Sequence, residues 1–275
     1  MKRKKKILTL PSVIVLCIFA ILPLLIMLGY SFQSDSGTTG ITLENYTDFF
    51  TKSVYLKLTS RTIFNSLAVT VISLIISYPL AYFMAKKFKG MKNIIMILII
   101  IPFFTNQLVR VYSWLIFLQD GGVLNSFLQS IGLIDGSLGI LFTQGAVVIG
   151  LIHAFFPYMV ITIYLALERV DNSLLEASSS LGASKVRTFF QVVLPLSMPG
   201  VITGIMIVFV PCLGTFVEPR ILGGVNGTVI GTVIEDQFFE IYGWNFGAAI
   251  AFVLFAMVII SMTGLSRIGR RYDNE

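Results

Sequence analysis

Side chains able to do covalent or metal chemistry are scarce in this 275-residue chain. There is one histidine, His153, and the two cysteines, Cys17 and Cys212, lie far apart in apolar runs. No metal-ligand spacing can be drawn from that set, and the cysteines read as small core residues. A hydrolytic triad would need His153 as its base, and no nucleophile motif accompanies it. His153 reads either as a helix-packing residue hydrogen-bonded inside a bundle or as an intramembrane polar group lining a pathway. No G-x-x-x-x-G-K-[ST] sequence occurs, so the chain has no recognisable ATP-binding loop of its own.

The spacing that stands out is a polar stretch at 171–195. Ser173 followed by Glu176 predicts a capping box, which satisfies two orphan N–H groups at a helix start. Gly182 suits the left-handed position just past a helix end. Ser184 then caps a second helix in which Val186, Phe189, Phe190, Val193 and Leu194 recur at helical spacing. Pro195 is read as a boundary where the next apolar segment begins. Two short helices broken at a glycine, with an apolar stripe, suit a surface that presses on another protein.

The elements that must position this stretch are membrane spans. Apolar residues make up 56% and charged residues 12%, against roughly one quarter charged in soluble chains. Long uncharged runs predict an all-α polytopic membrane protein, since a span needs about 20 apolar residues. A basic patch at 2–6 precedes an uncharged run at 7–32 that is too long for a signal-peptide core and lacks a small-residue cleavage site. It predicts a retained first span. A polar stretch at 33–60 follows and is read as packing on the mouth of the bundle. Further spans are predicted at about 62–85, from 93 past Pro102 and Arg110 to 119, at about 143–166, at about 196–217 and at 241–266. A short amphipathic interfacial helix is expected at 124–134. The glycine-rich segment 221–234 is too short to cross, and reads as re-entrant or as a loop covering the outer mouth.

The formal charge of +6 would suggest nucleic acid in a soluble protein; here its placement speaks for topology and against a nucleic-acid partner. With six spans, fifteen of the 20 Lys and Arg fall on the side of the termini. That bias puts both termini and the 171–195 stretch in the cytoplasm.

Those residues carry a resemblance. Glu176-Ala177-Ser178, three residues, Gly182, nine residues, then Val192-Val193-Leu194-Pro195 resembles the E-A-A-x3-G-x9-I-x-L-P motif of ABC importer permeases. Ser178 replaces the second alanine and Val192 the isoleucine. The resemblance implies a type I ABC importer permease fold (MetI-like) with cytoplasmic coupling helices that dock on an ATPase. It implies that Glu176, Ala177, Ser178, Gly182, Leu194 and Pro195 form the coupling segment. The stretch 101–112, Asn45-Tyr46, Leu222-Gly223-Gly224 and 244–249 are similar to the spermidine/putrescine permeases of PotB type. One departure is Arg220, where members often carry an acidic residue before Leu-Gly-Gly.

On this reading the chain divides into 1–61, an N-terminal transmembrane helix and outer loop; 62–268, the permease core with its coupling loop at 171–195; and 269–275, a cytoplasmic tail. The implied partners are a second homologous permease subunit, an ABC ATPase dimer, an extracytoplasmic substrate-binding protein and the lipid bilayer of an inner or plasma membrane. No cofactor is expected on this chain, with ATP and Mg used by the ATPase.

Nine acidic residues fall on the outer side against four basic ones. They form either a vestibule that attracts a polycation or the plain consequence of positive-inside topology. Phe103, Tyr112 and Trp114 offer rings for cation–π contacts or for packing. Arg110 calls for a carboxylate partner, with Asp120 and Glu218 in reach by topology; a role as a repulsive gate is the alternative. Phe103, Arg110, Tyr112, Trp114, Asp120 and Glu218 are thus the candidate pathway residues. The competing readings are a same-fold permease for an inorganic anion or ferric iron, and a secondary transporter. The latter would need intramembrane carboxylates, which the spans do not show away from their ends.

Overall fold

The computed structural model describes residues 14–34, 40–87 and 90–273. The basic run at 2–6, Asp35 and Lys89 lie outside the described residues, as do the side chains of Arg270 and Arg271.

Long apolar helices carry the structure because only helices satisfy every backbone group within the segment that crosses lipid. Among the described residues, five are long and apolar enough to cross: α1 (Ile14–Ser31), α3 (Ser53–Lys86), α7 (Gln144–Arg169), α9 (Lys185–Gly214) and α12 (Trp244–Asp273). A short α2 (Glu44–Thr51) precedes α3. A further crossing is available from a bent pair, α4 (Lys92–Phe104) with α5 (Gln107–Leu118) and α6 (Val123–Ser130), which turns by 97°. Helix α8 (Asn172–Ser180) links α7 to α9, while α10 (Val217–Gly223) and α11 (Ile230–Phe239) lie between α9 and α12.

The chain forms two units, 1–57 with 233–256, and 58–232 with 257–275. In the first, α2 is fastened to the end of α1. Buried Asn45 donates to the carbonyls of Ser31 at 3.1 Å and Gln33 at 2.8 Å, and the Tyr46 hydroxyl donates to Ser31 Oγ at 2.8 Å. Phe49 packs in an aromatic group with Phe50 and Tyr55, and Tyr55 meets Phe246 edge-on.

In the second unit the core is built where α3, α7 and α9 meet, around Val69, Met84, Leu151, Met159, Ile163, Leu167, Val201 and Val208. Helices α7 and α9 approach closely because α9 presents glycine to α7. A Cβ on Gly200 would collide with Ala166 and the Thr162 carbonyl, and one on Gly204 with Met159 and Thr162. Small residues at such crossings let backbones pack closely where lipid supplies no hydrophobic drive. A satellite cluster joins Val111 and Leu118 of α5, Ala146 of α7 and Leu222 of α10.

The structure departs from the sequence expectations at definite points. The third span is not one rod: Pro102 removes a donor and Thr105 and Asn106 are extended, so the chain turns before Asn106 Oδ1 caps α5 through Leu108 N–H. Residues 53–60 belong to α3 rather than to a polar connection. Pro195 is no boundary, because the helix from Lys185 runs through it. A wide π turn at Phe189–Val193 ends one residue before it, which accommodates a residue without an N–H inside a continuous helix. The glycine-rich 221–234 segment is neither a plain loop nor a span. It is the end of α10, a short 3-10 turn at Gly224–Gly227 and the start of α11.

Candidate functional site

Two places concentrate polar chemistry in the second unit. The first is the hairpin of α8 and the start of α9. Helix α8 is capped by Asp171, whose carboxylate accepts from Ser173 N–H at 3.0 Å. The predicted Ser173 cap is therefore displaced by two residues: Asp171 is extended and its oxygen reaches the free N–H first. That hydrogen bond from the Ser173 backbone holds the Asp171 carboxyl below the ordinary aspartate range.

The far end of α8 closes as predicted. Gly182 has φ +79°, with Gly182 N–H on Ser179 O and Ala183 N–H on Ser178 O. Such a left-handed end is cheap only for glycine. Ser184 accepts from Arg187 N–H at 3.3 Å and opens the next helix. Ser178 and Thr188 share a hydroxyl–hydroxyl bond of 2.9 Å that ties the two arms together.

The hairpin is anchored to the spans on one side only. Phe189 stands edge-on to Tyr78 at 5.5 Å and to Tyr82 at 6.1 Å, and Tyr78 hydrogen-bonds Ser197 at 2.8 Å. Lys86 Nζ donates to the Val170 carbonyl and to Asn172 Oδ1, and Lys92 pairs with Glu168 at 2.7 Å. The other side is open. Glu176 and Ala177 are exposed and Ser178 is half-buried. Leu181 is 87% exposed, Val186 67% and Phe190 60%. Leu194 and Pro195 are half-buried, within the helix rather than at its start. An apolar group displayed this way on a rigid, capped scaffold marks a binding surface. The sequence did not reveal Lys86, Tyr78 or Thr188 as its supports, since their partners lie in other segments or across the turn.

The second place is the bend between α4 and α5. A cavity of about 390 Å³ is lined by Thr105, Val109, Arg110, Ser113, Trp114, Phe117 and His153. The Arg110 guanidinium lies 5.8 Å from the Phe103 ring centre and reaches the Pro102 carbonyl at 3.4 Å. Phe103 in turn meets Tyr158 edge-on at 4.6 Å, and Trp114 meets His153 at 5.5 Å.

The structure thus gathers Phe103, Arg110 and Trp114, and adds His153. It does not gather the other candidates. Tyr112 is not among the residues that line the cavity and is 53% exposed. Asp120 is exposed and accepts from Ser137. Glu218 is 1% exposed and accepts from Gln107 at 3.0 Å and Thr215 at 2.7 Å. Neither carboxylate meets Arg110; the bend supplies a ring and a carbonyl in their place. Gln107 and Thr215 carry no motif and emerge only from the fold. Among the described residues no group of His, Cys, Asp and Glu could hold a metal ion.

Residues 77–273 match the family described as binding-protein-dependent transport system inner membrane component. The spermidine/putrescine transport system permease protein PotB of Escherichia coli K12 is 39% identical over 243 residues, covering 87% of this chain and 88% of that one. The chain belongs to this family.

The PotB protein of Haemophilus influenzae is 37% identical over 255 residues, covering 89% and 87%. Molybdenum transport system permease protein ModB of the same organism is 39% identical over a shorter stretch of 157 residues, 55% of this chain and 66% of that one. Among solved structures, a bacterial alginate ABC transporter in complex with a pentasaccharide-bound periplasmic protein has a chain that superposes with TM-score 0.79 at 19% identity, covering 98% and 96%. A chain of the MetNI methionine ABC transporter gives TM-score 0.55 at 18% identity, covering 80% and 99%. This inner membrane component therefore has the fold of ABC importer permeases, and it is a transport protein rather than an enzyme. Its matched region holds both the hairpin and the cavity at the bend.

Proposed function

We propose that this permease is the membrane-spanning subunit of an ATP-driven importer of polyamines such as spermidine and putrescine. The observation that carries this reading is similarity to PotB along nearly the whole of both chains. The termini and the hairpin face the cytoplasm, in keeping with the basic residues gathered on that side. A second homologous permease, an ATPase dimer and an extracytoplasmic binding protein complete the assembly. ATP and Mg belong to the ATPase.

In this mechanism, closure of the ATPase dimer pushes on the exposed face of the hairpin around Glu176, Ala177, Leu181 and Val186. Ser178–Thr188 keeps the two arms moving as one body. Because α9 is continuous from Lys185 to Gly214, a push at its first turn reaches the membrane directly as rotation of a rigid rod. The Phe189–Tyr78 and Lys86–Val170 contacts pass the same displacement to α3 and α7. The spans then open outward to receive substrate.

Two experiments test this. Affinity purification of the chain from native membranes brings down an ATPase, and Glu176→Ala lowers its recovery and uptake together; unchanged recovery and uptake would remove the hairpin from coupling. Deletion of the chain abolishes uptake of labelled spermidine, and undiminished uptake would remove the polyamine assignment. A second reading is favoured by one observation, the cavity lined by Arg110 and His153 with no carboxylate among its residues. An inorganic anion would suit it, and uptake of labelled molybdate in the same deletion strain separates the two.

A further inference from the structure

A groove of about 520 Å³ runs between α7 and α9 at the foot of the hairpin. That size falls within the range of about 300–1,000 Å³ found for small-molecule clefts. Thr162 and Thr203 stand at its deep end, and Arg169 and Asp171 at its mouth. From Thr162 to Arg169 the α7 wall runs about 10 Å, at about 1.5 Å per residue. Between the two ends lie Leu165, Ala166, Leu196 and Pro199. Even the deep end asks for no polar partner. The Thr162 hydroxyl donates to the Tyr158 and Met159 carbonyls at 3.0 Å, and the Thr203 hydroxyl to the Pro199 carbonyl at 2.7 Å. Counting about 100° per residue, this side of α7 lies roughly opposite the side of His153, so the groove is separate from the cavity at the bend.

The charges at the mouth point to the ligand. Arg169 and Asp171 line the same groove, yet neither is in an ion pair among the described residues, where the pairs are Lys52–Asp48 and Lys92–Glu168. Lys86 stands near but donates elsewhere, to the Val170 carbonyl and to Asn172 Oδ1 at 3.3 Å. The hydrogen bond from the Ser173 backbone keeps Asp171 ionised. Apolar surface by itself is ordinary on a span. A groove that is apolar along its length and offers one open cation and one open anion at its mouth is complementary to an amphiphile with both charges in its headgroup.

We infer that this groove seats a zwitterionic phospholipid of the cytoplasmic leaflet, a phosphatidylethanolamine, with its phosphate on Arg169, its ammonium on Asp171 and the start of an acyl chain between α7 and α9. The inference takes from the reading above only that the hairpin is cytoplasmic, and it is independent of the solute. A guanidinium fork suits a phosphate because it can donate two parallel hydrogen bonds to it. A carboxylate has about four acceptor positions, so capping α8 leaves Asp171 room for an ammonium. Pockets between transmembrane helices on the cytoplasmic side are where such headgroups bind. A lipid seated here touches α7, the cap of α8 and α9 together, and so braces the joint through which the hairpin moves the spans.

The test uses the assembled transporter in detergent, with synthetic palmitoyl-oleoyl phosphatidylethanolamine as the probe and native mass spectrometry to read the lipid retained. Wild type is expected to hold it more tightly than phosphatidylglycerol, which lacks the ammonium. Arg169→Gln is expected to weaken both lipids about tenfold, since it removes a charge-assisted bond to phosphate. Asp171→Asn keeps the helix cap and is expected to weaken phosphatidylethanolamine alone, about threefold. Thermal unfolding of the complex confirms that each variant is folded. Binding unchanged in both variants would overturn the inference, and so would equal binding of the two lipids with Asp171→Asn indifferent. Displacement by free phosphoethanolamine at the concentration of the lipid would make the ligand a soluble one and overturn it as well. A photo-crosslinker carried at Leu196 is expected to take lipid; capture of the second permease subunit would show that protein covers the groove, and the lipid site would fall.

Discussion

The hairpin at 171–193 and the bend at 102–119 lie in the same unit and are both rich in polar groups, yet they are specified in opposite ways. In the hairpin the contacts that set its shape join residues close in sequence, Asp171 with Ser173, Gly182 with Ser179, Ser184 with Arg187 and Ser178 with Thr188, while Tyr78 and Lys86 only fasten it to the spans. At the bend the contacts that place the side chains reach across the fold. Gln107 meets Glu218, Trp114 meets His153 and Phe103 meets Tyr158. A surface meant to fit a partner needs a fixed local shape and open side chains. A cavity inside a bundle needs walls from several helices. The hairpin accordingly leaves its apolar groups exposed, while the bend turns Glu218 wholly inward.

The comparison breaks most sharply at Gly182. Placing a β-branched side chain at φ +79° adds roughly 1–2 kcal/mol or more of backbone strain, so Gly182→Val is expected to disrupt the turn. Uptake and ATPase recovery should fall at least tenfold, with Gly182→Asn much milder. Equal behaviour of the two variants would show that the left-handed turn is not what matters.

Next comes Glu218→Leu, which strips an acceptor from Gln107 and Thr215 in a buried place. About 1–3 kcal/mol of stability should be lost, read as a lower Tm of the purified protein. Gln107→Leu in the same background should then cost little, since its partner is already gone. Additive losses would mean that the pair does not act as a unit.

Ser184→Ala should cost about 1 kcal/mol, confined to faster hydrogen exchange over 184–188, with the Tm nearly unchanged. A loss spread over the bundle would contradict the local character of the hairpin. The smallest effect is expected at Lys92→Met. Its pair with Glu168 is exposed on both sides, so no measurable change in Tm should follow.

Legibility in the sequence follows the same division. Gly182 and Ser184 were readable because caps and left-handed turns depend on neighbours within four residues. The Ser173 cap was misplaced by two residues for an equally local reason: Asp171 also has a short acceptor side chain and stands nearer the first free N–H. The spans were readable from hydropathy, although the two prolines were read the wrong way round, Pro102 as lying within a span and Pro195 as a boundary. Pro102 bends the chain and Pro195 does not, because the chain goes extended at Thr105 and Asn106 after the one, whereas a π turn precedes the other. Nothing in the local composition separates these outcomes. Arg110 was expected to find Asp120 or Glu218, but the bend gives it the Phe103 ring and the Pro102 carbonyl.

The sequence alone determined the membrane-spanning class, the positions of the long helices and the spacing of the 171–195 motif. Each of these is set by composition and by contacts a few residues long. Only the tertiary structure decided that α9 continues unbroken from the hairpin into the bundle, that Glu218 is enclosed by Gln107 and Thr215, and that α7 and α9 enclose a groove with Arg169 at its mouth. Those results depend on which distant segments meet, and that is settled by how the helices pack.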